Sequence, residues 1–204
     1  MSEHAMSKGE EKAWTILETL DPAEVCRKAL VSFDQSTGLY TVRSFGMDFT
    51  VLPRTQEVRC GNPQGELLLT RLRDFFRLSL AWHLVSATEI APSGSLIRIE
   101  DMKDGRGFAT GSHTLPLSRL ASLHGTNTEA FLKKAGAWGG TAFTLGNASA
   151  RLEPFPRIPV IVIIWSPDEE FPARASLLFD STSAYQAPID VIWMVAMMSI
   201  LILM

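Results

Sequence analysis

The stretch Pro156-Arg157-Ile158-Pro159-Val160-Ile161-Val162-Ile163-Ile164-Trp165, followed by Ser166-Pro167-Asp168-Glu169-Glu170-Phe171-Pro172 and by Ala173 to Asp180, decides the fold. A β-branched run of this length reads as a buried strand. The acidic, proline-bracketed segment after it reads as a tight turn, and the second apolar run as a returning strand. A hairpin at the centre of a sheet is therefore expected, with Asp168, Glu169 and Glu170 gathered at its end.

Outward from that hairpin the periodicities alternate. Asp21-Pro22-Ala23-Glu24 predicts a helix start, with Asp21 as cap, Pro22 in the first turn and Glu24 placed to close a capping box. That helix is expected to run to about Leu30, after an earlier one from roughly Glu10 to Leu20. Leu39–Arg43, Met47–Val51 and Glu57–Cys60 alternate with period two and predict an antiparallel meander, preceded by a turn at Asp34–Gly38. One long helix is predicted from about Glu66 to Ala87, its apolar stripe made by Leu68, Leu72, Phe75, Phe76 and Leu80. On its polar side Asp74 is spaced to pair with Arg71 or Arg77. A short strand at Leu96–Ile99, helices at Leu117–His124 and Thr128–Trp138, a strand at Ala148–Leu152 and a terminal helix from about Pro188 complete the pattern. Gly139-Gly140 reads as a helix stop. The expected architecture is α+β: a single domain with helices packed on a mainly antiparallel sheet, spanning residues 13–204 behind a flexible tail of residues 1–12.

Composition narrows the classes of function. The chain has 204 residues, 46% hydrophobic and 20% charged, which suits a globular core and argues against wholesale disorder. A net charge of −3 with scattered basic residues excludes the stripe that nucleic-acid binding needs. Two cysteines, Cys26 and Cys60, build no disulfide framework and read as small packed hydrophobes. With a polar start lacking the apolar core of a signal peptide, a cytoplasmic setting is expected. Val191 to Met204 is fourteen residues without a charge. A membrane span needs about 20, so packing on the core or on a protein partner, including a second copy, is preferred to membrane contact.

Chemistry-bearing residues are sparse. Adjacent carboxylates at Asp168–Glu170 suit acid–base work or a hard cation, but their spacing matches no calcium loop, and a solvated turn is the plainer reading. Trp165 and Phe171 flank them and suit either a pocket wall or the core. The four histidines make no metal-binding spacing, and His113, in Gly111-Ser112-His113-Thr114, is the one placed as an acid–base group. The glycine-rich run Gly105–Gly111 lacks the dinucleotide and phosphate-loop patterns. Arg98, Arg106 and Arg157 are available to an anion. No metal or cofactor is assigned.

Three readings of function follow. The first is a non-enzymatic domain binding a small ligand or a partner, its rim formed by Trp165, Asp168, Glu169, Glu170, Phe171, His113 and Arg106. The second is an enzyme assembled from the Asp168–Glu170 turn with His113. The third is an assembly role for the terminal helix. The absence of a coherent catalytic motif puts binding first.

The combination Arg157-Ile158-Pro159-Val160, Trp165, Asp168-Glu169-Glu170-Phe171-Pro172-Ala173 and Leu178-Phe179-Asp180 resembles a prokaryotic family of domains of unknown function found mainly in anaerobes. Upstream, Asp21-Pro22-Ala23-Glu24-Val25-Cys26, the meander, Pro92-Ser93-Gly94-Ser95, and Phe131 with Gly139-Gly140 extend the likeness from about Trp14 to Asp190. Some members look like fusions to a small iron–sulfur domain of the type seen in corrinoid one-carbon proteins. The resemblance thus implies a redox or corrinoid-linked context, with any cluster carried by a partner, since no cysteine-rich module stands in these 204 residues. It transfers no catalytic residue. It also implies an amphipathic final helix, from which the uniformly apolar Trp193–Met204 departs.

Overall fold

A computed structural model describes residues 6–108 and 113–204. Ala109 to Ser112, within the glycine-rich loop, and Met1 to Ala5 lie outside the described residues. Helix α1 (Lys8–Leu17) starts inside the segment expected as a tail, because the Ser7 hydroxyl accepts the Glu10 N–H and Glu10 itself is buried. Helix α2 (Pro22–Ala29) begins at Asp21, which accepts the Ala23 N–H at 3.1 Å. Glu24 does not close a capping box; its carboxylate takes Lys28 one turn on instead.

Two antiparallel sheets follow rather than one. The first is the expected meander with an additional edge: β1 (Ser32–Asp34), β2 (Leu39–Ser44), β3 (Met47–Leu52) and β4 (Glu57–Cys60), hydrogen-bonded in that order. The expected long helix is two. Helix α3 (Pro63–Arg71) and helix α4 (Arg73–Ser86) meet at Leu72, whose φ of −115° and ψ of 21° leave the helical region. No proline or glycine marks this break.

The second sheet collects β5 (Leu96–Ile97), β6 (Thr141–Phe143), β7 (Ala148–Phe155), β8 (Ile158–Trp165) and β9 (Arg174–Asp180) in the order β5-β9-β8-β7-β6. The deciding hairpin is as expected: Val160 pairs with Phe179 and Trp165 with Arg174, and β8 is buried along nearly its whole length. Helices α5 (Leu117–His124), α6 (Thr128–Ala137) and α7 (Ile189–Leu201) cover this sheet.

The sheets are joined where β2 turns into β3. Phe45 N–H donates to the Glu153 carbonyl at 2.9 Å, and the Ser44 hydroxyl to the Pro154 carbonyl at 2.6 Å. Gly46 and Gly139 touch backbone to backbone there, both at positive φ, so a side chain on either would meet the other's Cα within 3 Å. The chain is thus one α+β domain with a continuous core running from Trp14 and Phe49 through Phe76 and Phe155 to α7.

That continuity decides the apolar C-terminus. Val191, Ile192, Val195, Ala196, Met198 and Ile200 are all buried within the molecule. The uniform apolarity is what a helix wedged between α4 and the second sheet requires. The face demanded by self-assembly through α7 is therefore largely spent on the core. Among the described residues no helix is long and apolar enough to cross a membrane.

Two family-like elements have structural duties. Arg157, at the β7–β8 turn, donates to the Arg27, Lys28 and Thr88 carbonyls, and the His83 ring pairs with the Ala29 carbonyl at 3.1 Å. Carbonyls left open at the end of α2 are closed by side chains from elsewhere. The Arg157 guanidinium is thereby taken up by neutral backbone, not held for an anion.

The second is Asp180. Its Oδ1 accepts the N–H and hydroxyl of Ser93 and of Thr182, and its Oδ2 accepts the Gly94 N–H at 2.6 Å. Burial alone would raise this carboxyl, but the Thr182 hydroxyl, and then the N–H groups of Thr182, Ser93 and Gly94, outweigh it and hold the carboxyl at about 2. Asp180→Asn is expected to destabilise the domain by on the order of 3 kcal/mol, since an amide turns donors toward donors where a charged acceptor was. It is also expected to remove the loss of stability that the wild type shows as pH falls from about 4 through about 2, where the carboxylate becomes protonated. Urea melts of both proteins across that range check it; equal midpoints would refute the role.

Candidate functional site

The acidic turn stands at the solvent end of β8 and β9. Asp168, Glu169, Glu170 and Phe171 are exposed, Phe171 by 54%. Asp168 Oδ1 accepts the Phe171 N–H at 2.7 Å and the Glu170 N–H at 3.0 Å. Those two N–H groups, Phe171 first, pull its carboxyl below the ordinary range. A carboxylate held this way keeps its charge and serves the turn's geometry; it is poorly matched to proton transfer near neutrality. The Arg174 guanidinium lies over both aromatic rings, 5.7 Å from Trp165 and 5.9 Å from Phe171. The structure therefore unites Trp165, Asp168 and Phe171 at one hairpin end.

His113 and Arg106 stand elsewhere. His113 meets the Trp193 ring edge-on at 5.1 Å, and its carbonyl accepts the Trp193 indole N–H at 2.6 Å, near the start of α7. The 3₁₀ turn bearing Arg106 also packs by α7. The acidic turn instead leaves the sheet past Ala173, which touches Gly125 at the end of α5. Nearby, His124 bonds the Leu203 carbonyl just beyond the other end of α7. From Trp193 to Leu201 that helix rises about 12 Å. The expected seven-residue rim is thus two separate groups, and the acid–histidine pairing required by the enzyme reading is not formed. The cysteines are half-buried and pack against the core, as expected. Burial, with Asp21 nearby, pushes the Cys26 thiol up, away from nucleophilic use.

A concave site does exist, and its residues were not singled out as functional by the sequence. Helices α3, α6 and the end of α7 enclose a cleft of about 460 Å³. Asn62 caps α3 and Asn127 caps α6, each through its side-chain oxygen. Helix α3 sits close on β4 because Gly65 leaves room for the Cys60 sulfur, which would lie 2.3 Å from a Cβ. Leu68, Leu72, Trp138 and Ile202 floor the cleft, and Gln64, Arg71 and Lys134 edge it. The Gln64 side-chain amide donates to the Ala137 carbonyl at 3.0 Å and braces the mouth between α3 and α6. A signal for this place was present: Leu67-Leu68-Leu69 fans across more of a helix than one buried stripe covers, and Leu67 remains 41% exposed at the cleft.

Two antiparallel sheets sharing one core with seven α-helices, among the described residues, and a cleft formed by converging helices define an α+β domain. The chain belongs to the family described as domain of unknown function DUF3786, whose match covers residues 21–201. No curated protein and no solved structure matches it.

Proposed function

We propose that this domain is a non-enzymatic binding module of the cytoplasm, and that the α3–α6–α7 cleft is where its small ligand sits. The observation that carries this reading is the lining of the cleft: hollows of similar size occur elsewhere on the described surface, but here few polar groups edge an apolar floor. In the exposed Trp165–Phe171 turn the Asp168 carboxylate is committed to its own backbone.

The test is native mass spectrometry, with an ultraviolet–visible spectrum, on full-length protein purified without oxygen. An excess mass is expected. Leu67→Trp, which fills the mouth from an exposed position, should reduce the bound fraction severalfold without lowering the melting temperature. An excess mass untouched by Leu67→Trp would move the site elsewhere, and a clean mass with no thermal shift in a small-molecule screen would argue against binding altogether.

A further inference from the structure

We propose that the cleft takes a small amphipathic carboxylate, its apolar body on Leu68, Leu72, Trp138 and Ile202 and its carboxylate between Arg71 and Lys134. This rests on the reading of the cleft as the binding place and adds the ligand class. The two cations come from different helices yet border one apolar hollow. Among the described lining residues no Asp or Glu side chain faces them.

Each cation has an ordinary reason to be near a helix end. Both stand in the last turn, where the backbone dipole favours positive charge, and long stems readily lie along apolar surface. Neither reason requires them to flank a common cavity. Their joint placement gives it polarity: apolar below, cationic at the rim. A cationic ligand would meet like charge there, and a neutral one would leave the guanidinium's paired donors unused. A carboxylate matches that fork in two parallel bonds, with the lysine as a second point charge.

Octanoate, octanol and octylamine share one tail and differ in head group, so calorimetric titration of the full-length protein with each separates the contributions. Octanoate should bind most tightly. Arg71→Gln and Lys134→Gln should each weaken it roughly tenfold while leaving octanol unchanged. The double reversal Arg71→Glu with Lys134→Glu should invert the order and favour octylamine, a gain that misfolding cannot imitate. Octanol or octylamine binding the wild type as tightly as octanoate would overturn the carboxylate assignment and leave the cleft as a binding place. Failure of all three to bind would overturn both.

Discussion

Replacing Trp14 with alanine is expected to destabilise the domain by roughly 3–5 kcal/mol, the usual cost of emptying a buried aromatic site. Trp14 is fully buried between α1 and the rest of the core. Its indole N–H donates to Glu10 Oε1 at 3.1 Å, and the same oxygen lies 2.8 Å from Arg77 Nε. Arg77 also donates to the Gln56 carbonyl and lies 5.9 Å from the Trp14 ring. The Arg77 and Glu10 side chains are only 12% and 6% exposed. Glu10→Gln should therefore also be costly, because it leaves a desolvated guanidinium without its counter-charge. The two changes share one network, so the double variant should lose less than the sum. The effect matters because α1 precedes the family match at residues 21–201. The folded unit is thereby larger than the matched span. Guanidinium melts of the three variants decide the matter: a Trp14→Ala loss under about 1 kcal/mol would mean that α1 is a surface appendage.

Much of this fold was legible because its signals are local. The β8–β9 hairpin, the meander, the Asp21 start and the stop at Gly139-Gly140 each depend on residues within a few positions of one another. What escaped depends on distant pairs. Arg77 was spaced for Asp74, but it reaches Glu10, a partner 67 positions away. The junction of the two sheets includes the approach of Gly46 to Gly139, nearly a hundred residues apart, and neither carries a mark of it. The break at Leu72, between α3 and α4, has no proline or glycine beside it to announce it.

The candidate site followed the same rule. Sequence reasoning favours residues that are chemically conspicuous, and Asp168-Glu169-Glu170 is conspicuous; in the structure its leading carboxylate shapes its own turn. The cleft is made of leucines, a tryptophan and an isoleucine that look like core, with two cations that look like surface. Its concavity exists only because the length of α3 meets the C-terminal ends of α6 and α7. The apolar C-terminus is the converse case. In one dimension it reads equally as core packing or as an interface, with membrane contact behind them, and in three it is a core helix.

Lowering the pH from 6.5 to 4 is expected to weaken the fold by on the order of 3 kcal/mol through a single side chain, His83. Its ring is fully buried and stacks on Phe155 with centroids 5.0 Å apart. The Ala29 carbonyl can only accept, so Nε2 must carry the proton, leaving Nδ1 a bare lone pair with no partner. Protonating Nδ1 would bury a charge and an unmatched donor together. Burial therefore pushes the ring down to about 4 from an ordinary 6.5, against the opposing bond to Ala29, with Arg157 adding to the depression. The sign is fixed by which state takes the proton. Between those values the unfolded chain binds it and the folded chain does not, so stability present above pH 6.5 drains away as pH falls through about 4 and no further below. His83→Gln keeps an N–H directed at Ala29 but cannot titrate, so it should flatten this part of the profile whatever it costs at neutral pH. Urea midpoints taken from pH 7 to pH 4 would contradict the assignment if wild type and His83→Gln declined in parallel. A flattened profile would instead show that His83, which closes an α2 carbonyl where α2, α4 and the β7–β8 turn meet, carries the acid sensitivity of this range.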